Sequence, residues 1–93
     1  MSVRMTKPWI ELTAENVAGL PGQTGVYEVA DASGEVVETG YAGGRSRFGL
    51  RSELGDRLAA RGAGHRFRYE VTTQYLSRYS ELVNIAAGLI DPA

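Results

Sequence analysis

The sequence predicts a small α+β domain: an antiparallel sheet of about three strands, laid down in the order β-β-α-β-α and covered by helices. Three observations lead there. Two β-rich runs, "GVYEVAD" and "EVVETGYA", flank a three-residue loop that ends in glycine, the pattern of a hairpin. In "SRFGLRSELGDRLAARG" the leucines Leu50, Leu54 and Leu58 recur every four residues, a helix face. A further alternating run, "RFRYEVT", leads into a second long apolar-faced segment, "YLSRYSELVNIAAGLI". Strands that pair locally, with helices packed over them, make an α+β arrangement.

Taken in order, residues 1–19 read as an N-terminal tail and short lead-in: a loose 1–8, then a turn or short helix that opens on a Thr13 N-cap and closes on Gly19 and Pro21. The domain proper spans 20–93. In the hairpin, Ala32-Ser33-Gly34 fits a type I turn followed by a left-handed residue, with Gly34 supplying the positive φ. Asp31 then opposes Glu35 and Tyr27 opposes Thr39. Side chains alternate with period two, so Tyr27, Thr39 and Tyr41 are expected on one face. The following helix has Ser46 as its N-cap and Gly62 just past its end. It carries Gly49 and Gly55, each costing up to ~1 kcal/mol relative to alanine, which suggests close backbone approach. Arg51 stands at the border of the leucine face. Phe67, Tyr69 and Val71 alternate in the third strand. In the last helix Leu76, Tyr79, Val83, Ala86 and Ile90 form one side, stopped by Pro92.

Composition sets the outer bounds. Ninety-three residues make one domain. The absence of cysteine excludes a disulfide framework, a thiolate zinc site and a cysteine nucleophile. A single histidine, His65, excludes a histidine-built metal centre. No apolar run reaches membrane length, so a soluble, cytoplasmic domain without membrane contact is expected. The net charge is −1 but uneven: residues 1–40 hold two basic and six acidic side chains, residues 41–80 eight arginines and three acids. An all-arginine middle segment suits phosphate, and equally suits an ordinary solvated surface.

"LPGQTGVY" (Leu20 to Tyr27) and "YAGG" (Tyr41 to Gly44), with Arg51 eight residues beyond Gly43 and Glu81 on the last helix, resemble the GIY-YIG nuclease domain from about Leu20 to Ile90. The resemblance implies hydrolysis of DNA phosphodiester bonds with one divalent ion, Mg2+ or Mn2+, bound weakly without substrate. Tyr27 resembles the family's general base and Tyr41 a donor to water or phosphate. Arg51 would hold the phosphate, and Glu81 would bind the metal. A phenol with an ordinary pKa near ~10 needs a nearby cation or hydrogen bonds to act as a base at neutral pH. Arg45, Arg47, Arg57, Arg61, Arg66 and Arg68 are the candidates to track a nucleic-acid backbone. Taken one at a time, the tyrosines also read as packed sheet residues, and the arginines and Glu81 as surface charge. Two departures bear on activity. Gly44-Arg45 stands where a small hydroxyl residue commonly follows the second motif, and Gly55 where many members carry His or Tyr. Two functions therefore follow: a metal-dependent endonuclease, or a GIY-YIG-like binding or interaction module that does not cut. With no accessory DNA-binding region, targeting is expected from a protein partner or a homodimer.

Overall fold

The computed structural model describes residues 4–89. The elements run β1 (Ile10–Glu11), α1 (Ala14–Ala18), β2 (Gly25–Ala30), β3 (Val36–Ala42), α2 (Gly49–Arg61), β4 (Arg66–Val71) and α3 (Tyr75–Ala86). The four strands form one antiparallel sheet in the order β1-β4-β2-β3, so β3 is an edge strand among the described residues. The strand alternation of β2 divides the core. Tyr27 and Val29 face α1 and α2, packing with Leu12, Val17, Leu20, Leu50, Leu54 and Phe67. Val26 faces α3 and packs with Met5 and Leu82. No helix among the described residues is long and apolar enough to cross a membrane.

Five features differ from the sequence expectation. A fourth strand is present: Ile10 and Glu11 pair with Phe67 and Arg66. Two residues carry no periodicity, so this strand left no pattern to read. Residues 4–19 are also part of the core rather than a lead-in. Met5, Leu12 and Val17 are buried, and the Leu12 amide donates to the His65 carbonyl at 3.0 Å.

The third difference is the hairpin register. The turn forms as read: Gly34 has φ 92°, and the Asp31 carboxylate accepts from the Ser33 and Glu35 amides at 2.9 and 3.1 Å. One step further the ladder slips, with Ala30 opposite Val36 but Val29 opposite Glu38. This β-bulge adds one residue to β3 and inverts every facing beyond it. Tyr27 opposes Gly40, not Thr39, and Val26 opposes Tyr41. The two tyrosines therefore leave opposite faces of the sheet.

Fourth, α2 starts later than expected. Its N-cap is Phe48, and Ser46 instead donates its hydroxyl to Glu53 at 3.0 Å. Gly49 is required: its φ is +55°, and a Cβ there would lie 2.3 Å from the Gln23 carbonyl oxygen. Fifth, α3 is rotated about its axis. Its buried line is Tyr75, Tyr79 and Leu82, while Leu76 and Val83 are 58% and 37% exposed. The rotation brings Arg78 onto Glu70 of β4, with two bonds of 2.8 and 3.0 Å. A charge-assisted bidentate pair and three packed rings outweigh burial of two more aliphatic side chains. Ile90, expected on the same stripe, lies outside the described residues.

Candidate functional site

A cleft of about 540 Å³ opens at the Gly40–Ser46 end of β3, where the edge of the sheet meets α2 and α3. From the α2 face comes Tyr27. Its ring crosses to the edge over Gly40, where a Cβ would sit 2.3 Å from the phenol carbon and oxygen. Gly40 is thus the opening through which a core tyrosine reaches the cleft. Burial, reinforced by the nearby Glu38 carboxylate, pushes the Tyr27 pKa up to about 12. The neutral phenol can donate a hydrogen bond there; it is not set up to take a proton at neutral pH.

From the α3 face comes Tyr41, 39% exposed. Its ring lies 5.7 Å from Tyr75, nearly parallel at 15°, and 5.0 Å edge-on to Tyr79. Such offset and T-shaped pairs are the favoured aromatic geometries. The Gly44 amide donates to the Tyr75 hydroxyl at 3.3 Å, and Gly43 leaves room for that ring, which would lie 3.0 Å from a Cβ. The loop beyond carries Arg45 on the cleft wall and exposed Arg47, whose guanidinium lies 5.4 Å from the Phe48 ring centroid. Phe48 itself is 49% exposed. Glu53 supplies the cleft's carboxylate.

The structure brings Tyr27 and Tyr41 to one cleft, by way of the β3 edge rather than a shared face. It does not bring Arg51 or Glu81 there. Arg51 lies two residues from Glu53, about 200° around α2, and its Nε donates to the Leu20 carbonyl at 3.0 Å. Glu81 is ion-paired with Arg78, which also holds Glu70.

The arginine surface divides in the same way. Arg57 and Arg61 both grip Glu38, at 2.8 and 3.0 Å. Arg68 pairs with the buried Glu28 at 2.7 Å and lies 4.1 Å from the Trp9 ring centroid. Arg66 sits exposed on β4 beside Ala30 and Glu11, at the other end of β2 from the cleft. Arg45 and Arg47 are the two of the six at the cleft.

The expected magnesium or manganese ligand, Glu81, is held by Arg78 away from the cleft, and Glu53, the cleft's carboxylate, accepts from Ser46. No group of three or more His, Asp or Glu able to hold a metal ion occurs among the described residues. Sequence reading missed Gly40, Glu53, Tyr75 and Tyr79. The i, i+4 spacing of Tyr75 and Tyr79 was the available signal, masked because the apolar arc of α3 pointed elsewhere.

No curated protein and no solved structure matches the chain. The family model of DUF7508, a domain of unknown function, matches residues 1–87, so the chain belongs to the DUF7508 family.

Proposed function

We propose that this domain binds a nucleic-acid strand with unpaired bases in the tyrosine cleft and does not cut it. The observation that carries the reading is the grouping of Tyr41, Tyr75 and Tyr79 with Arg45, Arg47 and Phe48 at one end of β3. Arg51 and Glu81, which the resemblance implies for hydrolysis, are bonded elsewhere. Exposed rings offer stacking surfaces, worth ~1–3 kcal/mol per base. Arg45 and Arg47 offer donors to the phosphates. Tyr27, neutral at physiological pH, donates from the cleft floor.

Fluorescence anisotropy with labelled single-stranded and duplex DNA tests this. Binding should favour the single strand and weaken with salt. It should fall by about tenfold in Tyr41→Ala, as loss of one stacking ring implies. The Arg45→Ala/Arg47→Ala double variant should bind more weakly and depend less on salt. No binding to either form, or binding indifferent to these changes, overturns the reading.

One observation favours the endonuclease instead: both phenols do line one open cleft. Incubation with plasmid and branched DNA plus magnesium or manganese decides between the two. Cleavage that disappears in both Arg51→Ala and Glu81→Ala would establish the enzyme and remove the non-cutting proposal.

A further inference from the structure

We infer that the cleft selects guanine: the Glu53 carboxylate accepts from the base's N1–H and N2 amino group while the Tyr27 phenol donates to its O6. The inference rests on the single-strand proposal for the strand that delivers the base. Two polar groups in the cleft have bonding capacity that the chain itself does not use.

The first is Glu53. Among the described residues, the other buried or half-buried glutamates each meet an arginine: Glu28 meets Arg68, Glu38 meets Arg57 and Arg61, and Glu70 and Glu81 meet Arg78. Glu53, half-buried on the cleft wall, meets none of the described arginines, although Arg45 shares that wall. Its Oε2 accepts from the Ser46 hydroxyl at 3.0 Å, and its Oε1 accepts from no described group. An ionised carboxylate has about four acceptor sites, so Ser46 orients this one without exhausting it.

The second is the Tyr27 hydroxyl. The residue is only 3% exposed, yet its phenol has no hydrogen-bond partner among the described residues and lines the cleft. A tyrosine buried this deeply ordinarily finds a partner. Burial and Glu38 keep the phenol protonated, and the charge of Glu53 acts on it in the same direction. A donor and an acceptor with two oxygens therefore face one space.

The bases differ in what they offer such a pair. The Watson–Crick edge of guanine runs O6, N1–H, N2–H, an acceptor followed by two donors. Adenine and cytosine offer the carboxylate one amino group. Thymine and uracil offer one N–H between two carbonyls, one of which would confront the second carboxylate oxygen. Guanine alone occupies both oxygens of Glu53 and still leaves an acceptor for Tyr27. Pairing in a duplex hides that edge, so the base must be unpaired, and Tyr41 supplies a ring for it to stack on.

Anisotropy in EDTA with short oligothymidine strands carrying one central guanine, hypoxanthine, adenine or thymine tests this. The guanine strand should bind about tenfold tighter than the all-thymine strand, as one bidentate base contact implies. Hypoxanthine keeps O6 and N1–H but lacks the N2 amino group, and should bind about threefold more weakly than guanine. Glu53→Gln replaces one acceptor by a donor and should bring the guanine and thymine strands to within about twofold. Comparing guanine with hypoxanthine on the wild-type chain needs no variant to fold. Strands that bind equally whichever base is central overturn the guanine assignment and leave the single-strand proposal standing. Guanosine monophosphate separates the converse case. If no strand binds, yet this nucleotide and no other nucleoside monophosphate shifts the Gly43 and Gly44 amide resonances, guanine selection stands and the strand proposal falls. Neither strand binding nor such shifts would overturn both.

Discussion

On the α2 face the sheet buries Tyr27, Val29 and Phe67 against Leu12, Val17, Leu50 and Leu54; on the α3 face it buries Val26 against Met5 and Leu82 and gives its other positions to charge and to rings. Glu28 opposes Arg68 and pairs with it, and Glu70 of β4 is held by Arg78. The strands are shared, so alternation alone separates an oil-like layer from a polar one. The difference teaches where stability and recognition reside. Full burial of a side chain such as Phe67 is worth ~1.5–3 kcal/mol, whereas a partly exposed ion pair contributes ~0–1. The α2 face therefore holds the domain together. The α3 face, stabilised less per residue, can leave Tyr41, Leu76 and Val83 exposed along the β3 edge.

The largest effect should come from Phe67→Ala, about 3–5 kcal/mol of lost stability in denaturant unfolding. Leu82→Ala, beside the more open α3 face, should cost nearer the ~2 kcal/mol end of its range. Equal losses at the two sites would erase the contrast.

Next comes alkaline pH. Folding raises the Tyr27 pKa to about 12, so its contribution is intact below the unfolded value near ~10 and is lost as pH climbs to about 12. That loss is about 2–3 kcal/mol, from a shift of about two pKa units. Urea unfolding at pH 8 and pH 12 should show the drop in wild type and a smaller one in Tyr27→Phe. An identical drop in both would place the phenol in water rather than in the core.

Acid should act on the other face. Arg78 holds the Glu70 carboxyl below its usual range, so that pair stabilises α3 at neutral pH and is lost as the pH falls through the folded value. The effect is up to about 1 kcal/mol. Amide exchange should loosen α3 before α2 on acidification, and Glu70→Gln should remove the pH dependence. The smallest effect belongs to Arg51→Ala. With one bond to the Leu20 carbonyl, it should change stability by no more than about 0.5 kcal/mol and leave cleft binding as it was.

How much of this was legible follows from the range of each interaction. The Asp31–Gly34 turn, the Leu50/Leu54/Leu58 face and the Gly62 stop are local, and each was readable from residues within one or two turns of chain. The bulge at Val36–Glu38 was not, because two registers of one hairpin share the same turn. Nor was the rotation of α3: its apolar arc favours Leu76 and Val83, and only Glu70, Tyr41 and Val26, brought in by other strands, turn it towards Tyr75, Tyr79 and Leu82.

By itself, then, the chain determined its class, its helices, the pairing of β2 with β3 and the nearness of two tyrosines to one end of that pair. Those are consequences of period, turn chemistry and side-chain size, which act between near neighbours. Tertiary packing alone decided which face each tyrosine leaves, that Gly40 opens a passage for Tyr27, and that Arg51 and Glu81 spend their charge on Leu20 and Arg78. One added residue in a strand, or a part-turn of a helix, redirects a charged group across the molecule, and what sets either is contact between segments far apart in sequence.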